Sequence, residues 1–425
     1  MTAHTAAPAA RTVIRASRLL HVEDLAVIPN AAVVIEGDTI AYAGPADQVT
    51  TTPADTVLDC GDRTLLPGLI DAHVHFFGID TLHTQRLFTD PEPYRALRAA
   101  RDASALLDAG FTWVRCLGSS VGTHLARAVA EGLVRGPSIV PAGQFICSTT
   151  GTWDEKDLPA EVVARLDLYA DGEDACRAAV RRRVRAGAGV IKVGVSSGSI
   201  EDHFRSWGDR PNRQRRTYSV PEIRALVDEA HRYDVKVSAH AIGDDAVQSA
   251  IAAGVDIVEH AHGISSRTRD LLAESGTTVV PTLTHMFLMA EHGREHGISE
   301  EVVQVAAVHL EEQREAFAGL LSAGVTLASG SDLIGPPWAS LDQGATEPRL
   351  MVEAGMSTGA ALQAVTLTNA AVLGVEQQAG SLRPGKRGDV VAVSGDPLRD
   401  IGSLGAVDLV VKAGVVERNA LDPAA

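Results

Sequence analysis

Leu65-Leu66-Pro67-Gly68-Leu69-Ile70-Asp71-Ala72-His73-Val74-His75 begins apolar and ends on two imidazoles. Such a run reads as a buried strand. Residues two apart on a strand point to the same side, so His73 and His75 can reach one ion. Similar runs follow at Thr112–Gly118, Ser138–Ile146, Val190–Val195, Lys236–Ala241, Ile257–Ala261, Thr277–Leu283 and Thr326–Asp332. The intervening segments read as helices. Val220–Tyr233, for example, places Ile223, Leu226, Val227 and Ala230 at i, i+3, i+4 and i+7. Eight strand candidates, each followed by a helix over roughly 310 residues, have the size and rhythm of a (β/α)8 TIM barrel. A doubly wound sheet is the rival, but no G-x-G-x-x-G follows the first strand. The expected class is α/β.

The two ends of the chain read differently. Residues 12–60 and 380–417 contain short β-rich runs broken by Gly37-Asp38, Gly44-Pro45, Gly385-Lys386 and Gly395-Asp396-Pro397. Chain ends commonly lie close together, so the two pieces can form one small composite β-sandwich. The expected organisation is 11–64 for its N-terminal part, 65–377 for the barrel and 378–420 for its C-terminal part.

Composition narrows the function. The 425 residues carry 38 Lys+Arg against 54 Asp+Glu, a formal charge of −16, which leaves no cationic excess for a nucleic-acid partner. No run of about 18 apolar residues is present to span a membrane. The 4 cysteines are widely spaced with no C-x-x-C, and Met1–Ala10 lacks an apolar h-region. A cytoplasmic protein without disulfides is the expectation.

Catalytic groups of a barrel gather where its strands end. Here those positions hold His73 and His75, Lys192 within Val190-Ile191-Lys192-Val193, His240, His260 and Asp332. Each has a bland alternative. A lone buried histidine is commonly a hydrogen-bonded core residue, and Asp332 in Gly330-Ser331-Asp332 can cap a helix. An unpaired Lys192 in an apolar run is costly if charged. Independent accidents do not place all of them at strand ends.

With these residues the chain resembles the metal-dependent amidohydrolase superfamily. The stretches that carry the likeness are Leu66–His75, Gly187–Lys192, Ser238-Ala239-His240-Ala241, Val258-Glu259-His260 and Gly330-Ser331-Asp332, with Gly380–Asp389 as the return of the β-sandwich. It looks closest to the branch of imidazolonepropionase-like amidohydrolases, Xaa-Pro dipeptidases and ochratoxin-degrading carboxypeptidases, which carries its lysine on the fourth strand. The resemblance implies two divalent ions, usually zinc. His73 and His75 would hold one and His240 and His260 the other, with N-carboxylated Lys192 as the bridge and Asp332 on the first. A free ammonium would repel a dication, whereas its carbamate is an anionic oxygen ligand. Asp332 would take the proton of a metal-bridged water as hydroxide attacks and return it to the leaving nitrogen. Homo-oligomerisation is a further family expectation.

Three departures bear on substrate. The branch often has Gly-Gly-His after the third strand, where this chain has Gly151-Thr152-Trp153, so Trp153 replaces a histidine expected at the substrate oxyanion. Tyr218, four residues before Glu222, matches a tyrosine that assists the same carbonyl; its other reading is a residue at a helix entry. Cys116 stands where the family usually has Asp after Arg115, and reads as a small buried hydrophobe or a change behind the ligands. His285 is a candidate substrate contact or a structural histidine. Of 17 aromatics, Phe76, Phe77, Trp153, Phe204, Trp207, Tyr218, Phe287 and Trp338 follow strand ends, as do Arg205, Arg210, Arg213, Arg215 and Arg216. They are either packing and solvated loop or recognition of a bulky apolar group and a carboxylate.

The expected activity is hydrolysis of a C–N amide bond in a small molecule: an N-acyl amino acid, dipeptide or aryl amide. A urea, carbamate or cyclic-amide hydrolase with the same centre is one alternative. A metal-free binding or scaffold protein is the other.

Overall fold

The computed structural model describes residues 11–80, 86–154, 158–197 and 215–421. Both chain ends build one eight-stranded sheet. Its strands are β1 (Arg11–Leu20), β2 (Val27–Glu36), β3 (Thr39–Pro45), β4 (Thr56–Asp59) and β5 (Arg63–Pro67) from the N-terminal side. Parallel strands β6 (Leu69–Val74), β7 (Phe111–Cys116), β8 (Ser138–Pro141), β9 (Val190–Gly194), β10 (Lys236–Ala241), β11 (Ile257–His260) and β12 (Thr278–Val280) follow. β13 (Val390–Ser394), β14 (Val407–Lys412) and β15 (Val415–Asn419) then return to the first sheet. Its order is β15-β14-β13-β5-β1-β2-β3, with β4 beside β1.

Alternation along the strands explains how this sheet binds to the rest. Val390 and Ala392 share a core with Ile14, Val33, Leu65 and Leu409, whereas Val391 and Val393 pack into the main core of the parallel strands. β13 therefore joins two apolar clusters through its two faces.

The run read as one strand from Leu65 to His75 is two. β5 pairs antiparallel with β13 and β6 pairs parallel with β7. Gly68 divides them, because a Cβ there would lie 2.1 Å from Thr112 Oγ1. Only glycine lets the chain pass this close while changing sheets.

The parallel strands form two groups, β6-β7-β8 and β12-β11-β10-β9. Isolated parallel bridges run Ile146↔Val193 on one side and Val279↔Leu327 and Val74↔Leu333 on the other. Backbone bonds Gly189 N to Pro141 O (2.8 Å) and Ala72 N to Ser329 O (3.0 Å) lie along the same edges. The third predicted strand is thus shorter than its apolar run, and the eighth, Thr326–Asp332, forms no strand, joining its neighbours only through single bridges at Leu327 and the adjoining Leu333. Ile70, Ala72, Trp113, Ile257, Val280 and Ala328 share one buried cluster, so these strands face a common interior.

Helices cover the outside. Val220–His231 starts at a capping box in which Ser219 and Glu222 each accept from the other's backbone N–H. It ends two residues before the predicted Tyr233. No helix among the described residues is long and apolar enough to cross a membrane.

Candidate metal centre

The polar ends of β6, β9, β10 and β11 converge with the segment after β12. His73 Nε2 lies 3.3 Å from His75 Nε2. Asp332 Oδ1 lies 3.3 Å from the first and 3.2 Å from the second. The His260 ring centroid is 5.4 Å from that of His73, and the His240 centroid is 4.6 Å from that of His260. Ligand atoms of His73, His260 and Asp332 fall within 4.8 Å of one another. In register, Lys192 on β9 pairs with Ser238 on β10, two residues before His240 and so on the same face.

Proton placement decides what these atoms can do. His73 Nδ1 is 2.7 Å from Glu259 Oε2, and His75 Nδ1 is 3.0 Å from the Gly118 carbonyl. A carboxylate and a carbonyl only accept, so both Nδ1 atoms donate. Burial pushes the His73 imidazole down to about 4, with the Lys192 charge acting in the same direction. In the neutral His73 ring, therefore, Nε2 is a bare lone pair. It faces His75 Nε2 and an Asp332 carboxylate oxygen. Tetrahedral zinc with bonds of about 2.0–2.1 Å would put its ligand atoms about 3.3–3.4 Å apart. The observed spacing fits a cation of that kind.

Two more buried atoms lack hydrogen-bond partners, Lys192 Nζ and His240 Nε2. Burial lowers the Lys192 ammonium to about 8, against the opposing pull of Glu259 and Asp332. It likewise brings His240 down to about 3 and His260 well below its ordinary value. A neutral amine and neutral imidazoles are the forms that can be carboxylated or can ligate a metal. The residues present thus fit a divalent centre.

The surroundings hold the donors in place. Glu259 accepts from Arg115 (2.6 Å) and Ser238 Oγ (2.5 Å) as well as His73. Burial alone would raise this carboxyl, but Arg115, His73 and Lys192 hold it down to about 2. Such a carboxylate behind an imidazole fixes its tautomer and orientation. His260 Nδ1 lies 2.7 Å from Thr282 Oγ1. Asp71 accepts from His73 N, Ser331 N and Ser331 Oγ, tying the end of β6 to the turn before Asp332. Asn369 donates to the carbonyls of Ile70 and Ser329, bracing the same pair. Gly330 allows this approach, since a Cβ there would meet His73 Cβ at 2.8 Å.

Backbone strain gathers here too. His260 (φ 72°), Ala261 (47°), Thr282 (56°) and Asp332 (55°) occupy the left-handed region without being glycine. Each costs on the order of 1–3 kcal/mol and persists because its surroundings enforce it.

The family model for the amidohydrolase family matches residues 64–416. The chain belongs to that family. It is 33% identical over 395 residues to ochratoxinase of Aspergillus niger, covering 88% of this chain and 79% of that one. The crystal structure of A. niger ochratoxinase superposes with TM-score 0.84 at 28% identity, covering 97% of this chain and 96% of that one. A prolidase complexed with N-methylphosphonate-L-proline gives TM-score 0.85 at 30% identity, with 96% and 100% coverage. An Xaa-Pro dipeptidase with methionine in its active site gives 0.82 at 30% identity, with 96% and 99% coverage. This protein is an amidohydrolase enzyme, and its class of reaction is amide or peptide bond hydrolysis.

The substrate candidates of this amidohydrolase are less uniformly placed. Trp153 lies near the cluster, its ring 6.0 Å from His75. His285 donates from Nδ1 to the Asp332 carbonyl (2.8 Å) and packs edge-on against Trp338 at 4.7 Å. Its visible role is to support the Asp332 turn. Tyr218 is buried with its hydroxyl unpartnered, and no hydrogen bond among the described residues joins it to the imidazoles. Cys116 is a buried apolar-core residue. Phe76 is likewise in the core, while Phe77 stacks on His75 at 4.7 Å. Phe204, Trp207, Arg205, Arg210 and Arg213 lie outside the described residues. Arg216 donates to Ser249 Oγ.

Sequence reading assigned no role to Glu259, Arg115, Thr282, Asp71 or Asn369. A carboxylate inside the apolar run Ile257-Val258-Glu259 was the available signal, since an ionised group there requires a partner.

Proposed function

We propose that this amidohydrolase cleaves the C–N bond of an N-acyl amino acid, dipeptide or aryl amide at a binuclear zinc centre. His73 and His75 would hold one ion, His240 and His260 the other, and N-carboxylated Lys192 would bridge them with Asp332 on the first. The observation that carries this reading is the convergence of His73 Nε2, His75 Nε2 and Asp332 Oδ1, spaced 3.2–3.3 Å apart, while the Nδ1 atoms of both rings are turned to other acceptors. The orphaned Nζ of Lys192 supports the carbamate. Parallel bridges at both edges of the two strand groups support a closed eight-stranded barrel around the centre, and the shared core of β1, β2, β13 and β14 supports the composite sandwich.

Bound divalent ions supply Lewis acidity toward the amide carbonyl and lower the pKa of water toward about 7. The chain's own residues do the rest. Asp332 stays ionised: burial opposes this, but His73, the His75 hydrogen bond and His285 hold it well below the usual carboxylate range. It can therefore receive the proton of the attacking water and hand it to the departing nitrogen. His285 fixes the backbone from which Asp332 projects. Phe77 and Trp153, packed beside His75, keep bulk water from that side. The relatives named ochratoxinase, prolidase and Xaa-Pro dipeptidase support amide substrates that include amino-acid derivatives.

The test is a panel of N-acyl amino acids, dipeptides, aryl amides and phenylureas, assayed before chelation, after it and after zinc is restored. Activity on amides should vanish and return, with elemental analysis giving two zinc ions per chain. Turnover indifferent to chelation overturns the metal mechanism, and exclusive turnover of ureas overturns the amide assignment.

A further inference from the structure

Trp153 stands beside the cluster in a backbone conformation that a bulky residue seldom adopts. Its φ is 74°, and that of Thr150, three residues earlier, is 68°. Bulky and β-branched residues are outliers there, and strain of this kind gathers at ligand clamps. One carboxylate holds the turn. Asp154 accepts from the Thr150 N–H through Oδ2 (2.6 Å) and from the Tyr169 hydroxyl through Oδ1 (2.5 Å). Tyr169 belongs to a segment paired with the run that follows β8: the Cys147 N–H donates to the Leu168 carbonyl and the Ala170 N–H to the Cys147 carbonyl, both at 2.9 Å. Thr152 Oγ1 donates to the Ser196 carbonyl at 2.6 Å, beyond the end of β9. The turn is thus anchored to two other segments on either side of Trp153.

These bonds hold an indole among rings. The Trp153 ring centroid lies 4.5 Å from Phe145, 5.3 Å from Phe77 and 6.0 Å from His75. The other three rings are buried, whereas Trp153 is half-buried. Apolar ring surface therefore stays open next to a metal-ligand candidate. Behind the rings, on the side of Phe88, Leu168 and Arg95, a cavity leaves about 20 Å³ open to the centre of a water-sized sphere. That admits a water and excludes an aromatic group. A flat group of a substrate can cover only the outer side of the indole, in the offset or edge-on contact that aromatic rings favour.

We propose that Asp154, with Tyr169, is a positioning residue for Trp153: it holds the indole beside His75 as a wall against which a flat apolar group of the substrate packs. This rests on the amide-hydrolase reading of the centre and says which residues set its selectivity among amides. Asp154 and Tyr169 act through Trp153 and not by touching the substrate.

The experiment measures KM and kcat for N-benzoylglycine against N-acetylglycine and for acetanilide against N-methylacetamide, pairs that differ by a ring on one or the other side of the amide. In at least one pair KM for the ring-bearing member should be about tenfold lower, equivalent to about 1.4 kcal/mol. That ratio should fall to about twofold in Trp153→Ala. Asp154→Ala should lower it to about threefold through KM, with kcat changing less, and Asp154→Asn, which keeps one oxygen acceptor, should retain part of it. In the Trp153→Ala background, Asp154→Ala should leave the ratio where it is, since residues that act through one another are not additive. A purely structural Asp154 would lower stability without moving the ratio. Equal KM values in both wild-type pairs, or the same fall on Asp154→Ala with and without the indole, overturns the inference. If Asp154→Ala does not fold, Tyr169→Phe takes its place, and an unchanged ratio there overturns the inference. Binding is read apart from turnover by tryptophan fluorescence titrated with benzamide and with acetamide. Benzamide alone should give a saturating response, which Trp153→Phe lacks and Asp154→Ala weakens. That response without turnover of any amide removes the proposed reaction and keeps the inference. Turnover without ring preference removes the inference alone.

Discussion

Replacing Glu259 with glutamine isolates what holds the first imidazole. Glu259 and Arg115 are both 0% exposed and 2.6 Å apart. Glutamine keeps the size and removes the charge. Arg115 is then left in the interior with Nε on the Ala72 carbonyl and no carboxylate paired to it. Breaking one half of a buried pair costs about 3–5 kcal/mol, because the remaining charge stays desolvated. The damage is also geometric. Three donors (His73 Nδ1, Arg115 and Ser238) converge on two carboxylate oxygens, and an amide has only one oxygen. If that oxygen stays with Arg115, the amide NH2 meets His73 Nδ1 donor to donor and the tautomer is no longer set. Loss of such a partner behind a metal ligand lowers metal affinity about 10–100-fold. Denaturant titration reads the stability loss, and zinc competition against a chromophoric chelator reads the affinity loss. The double variant Arg115→Met/Glu259→Gln separates them. It should regain most of the stability, since no charge is stranded, and none of the zinc affinity. A Glu259→Gln protein with wild-type denaturation midpoint and wild-type zinc affinity refutes the reasoning.

Asp332→Asn should keep bound zinc yet lower kcat by about 10²–10⁴-fold, the range for loss of a positioned proton carrier; near-normal kcat in the zinc-loaded variant removes that role. Protein equilibrated with ¹³C-bicarbonate should show one carbamate carbon signal per chain that is absent from Lys192→Arg, and a spectrum lacking it in zinc-loaded wild type eliminates the bridge. Burial raises Glu347 from 4.5 to about 8 although Thr284 and Leu283 donate to it. Between those values the folded state keeps a proton that the unfolded chain has released, so stability should fall as pH rises from about 4.5 to 8 and level off above. Glu347→Gln should flatten this slope, leaving the part due to Asp71, which burial raises to about 7; an unchanged slope in a denaturation series contradicts the assignment.

The legibility of this protein followed the reach of each interaction. Side chains that alternate along one strand declare themselves within a few residues, so His73/His75 and the strand-helix rhythm could be read directly. The division at Gly68 could not, because it depends on Thr112, more than forty residues away. Tyr218 shows the limit from the other side: its motif position was legible, but its unpartnered hydroxyl in the core was not. Loop aromatics were visible as a group, yet only packing sends Phe76 into the core and Phe77 onto His75.

By itself the sequence determined the chemical inventory: four imidazoles, a lysine and an aspartate at strand ends, two β-rich termini, and too little positive charge for a nucleic-acid partner. Local periodicity and residue type suffice for that. Only the tertiary structure decided that His73 and His75 donate from Nδ1 and turn Nε2 toward Asp332. That depends on Glu259 and the Gly118 carbonyl, partners supplied by other segments. It also decided that a buried Arg95, unremarkable in a helical pattern, faces a cavity one ring away from the cluster. Proton positions and desolvation arise from what surrounds an atom in three dimensions, and no one-dimensional spacing specifies them.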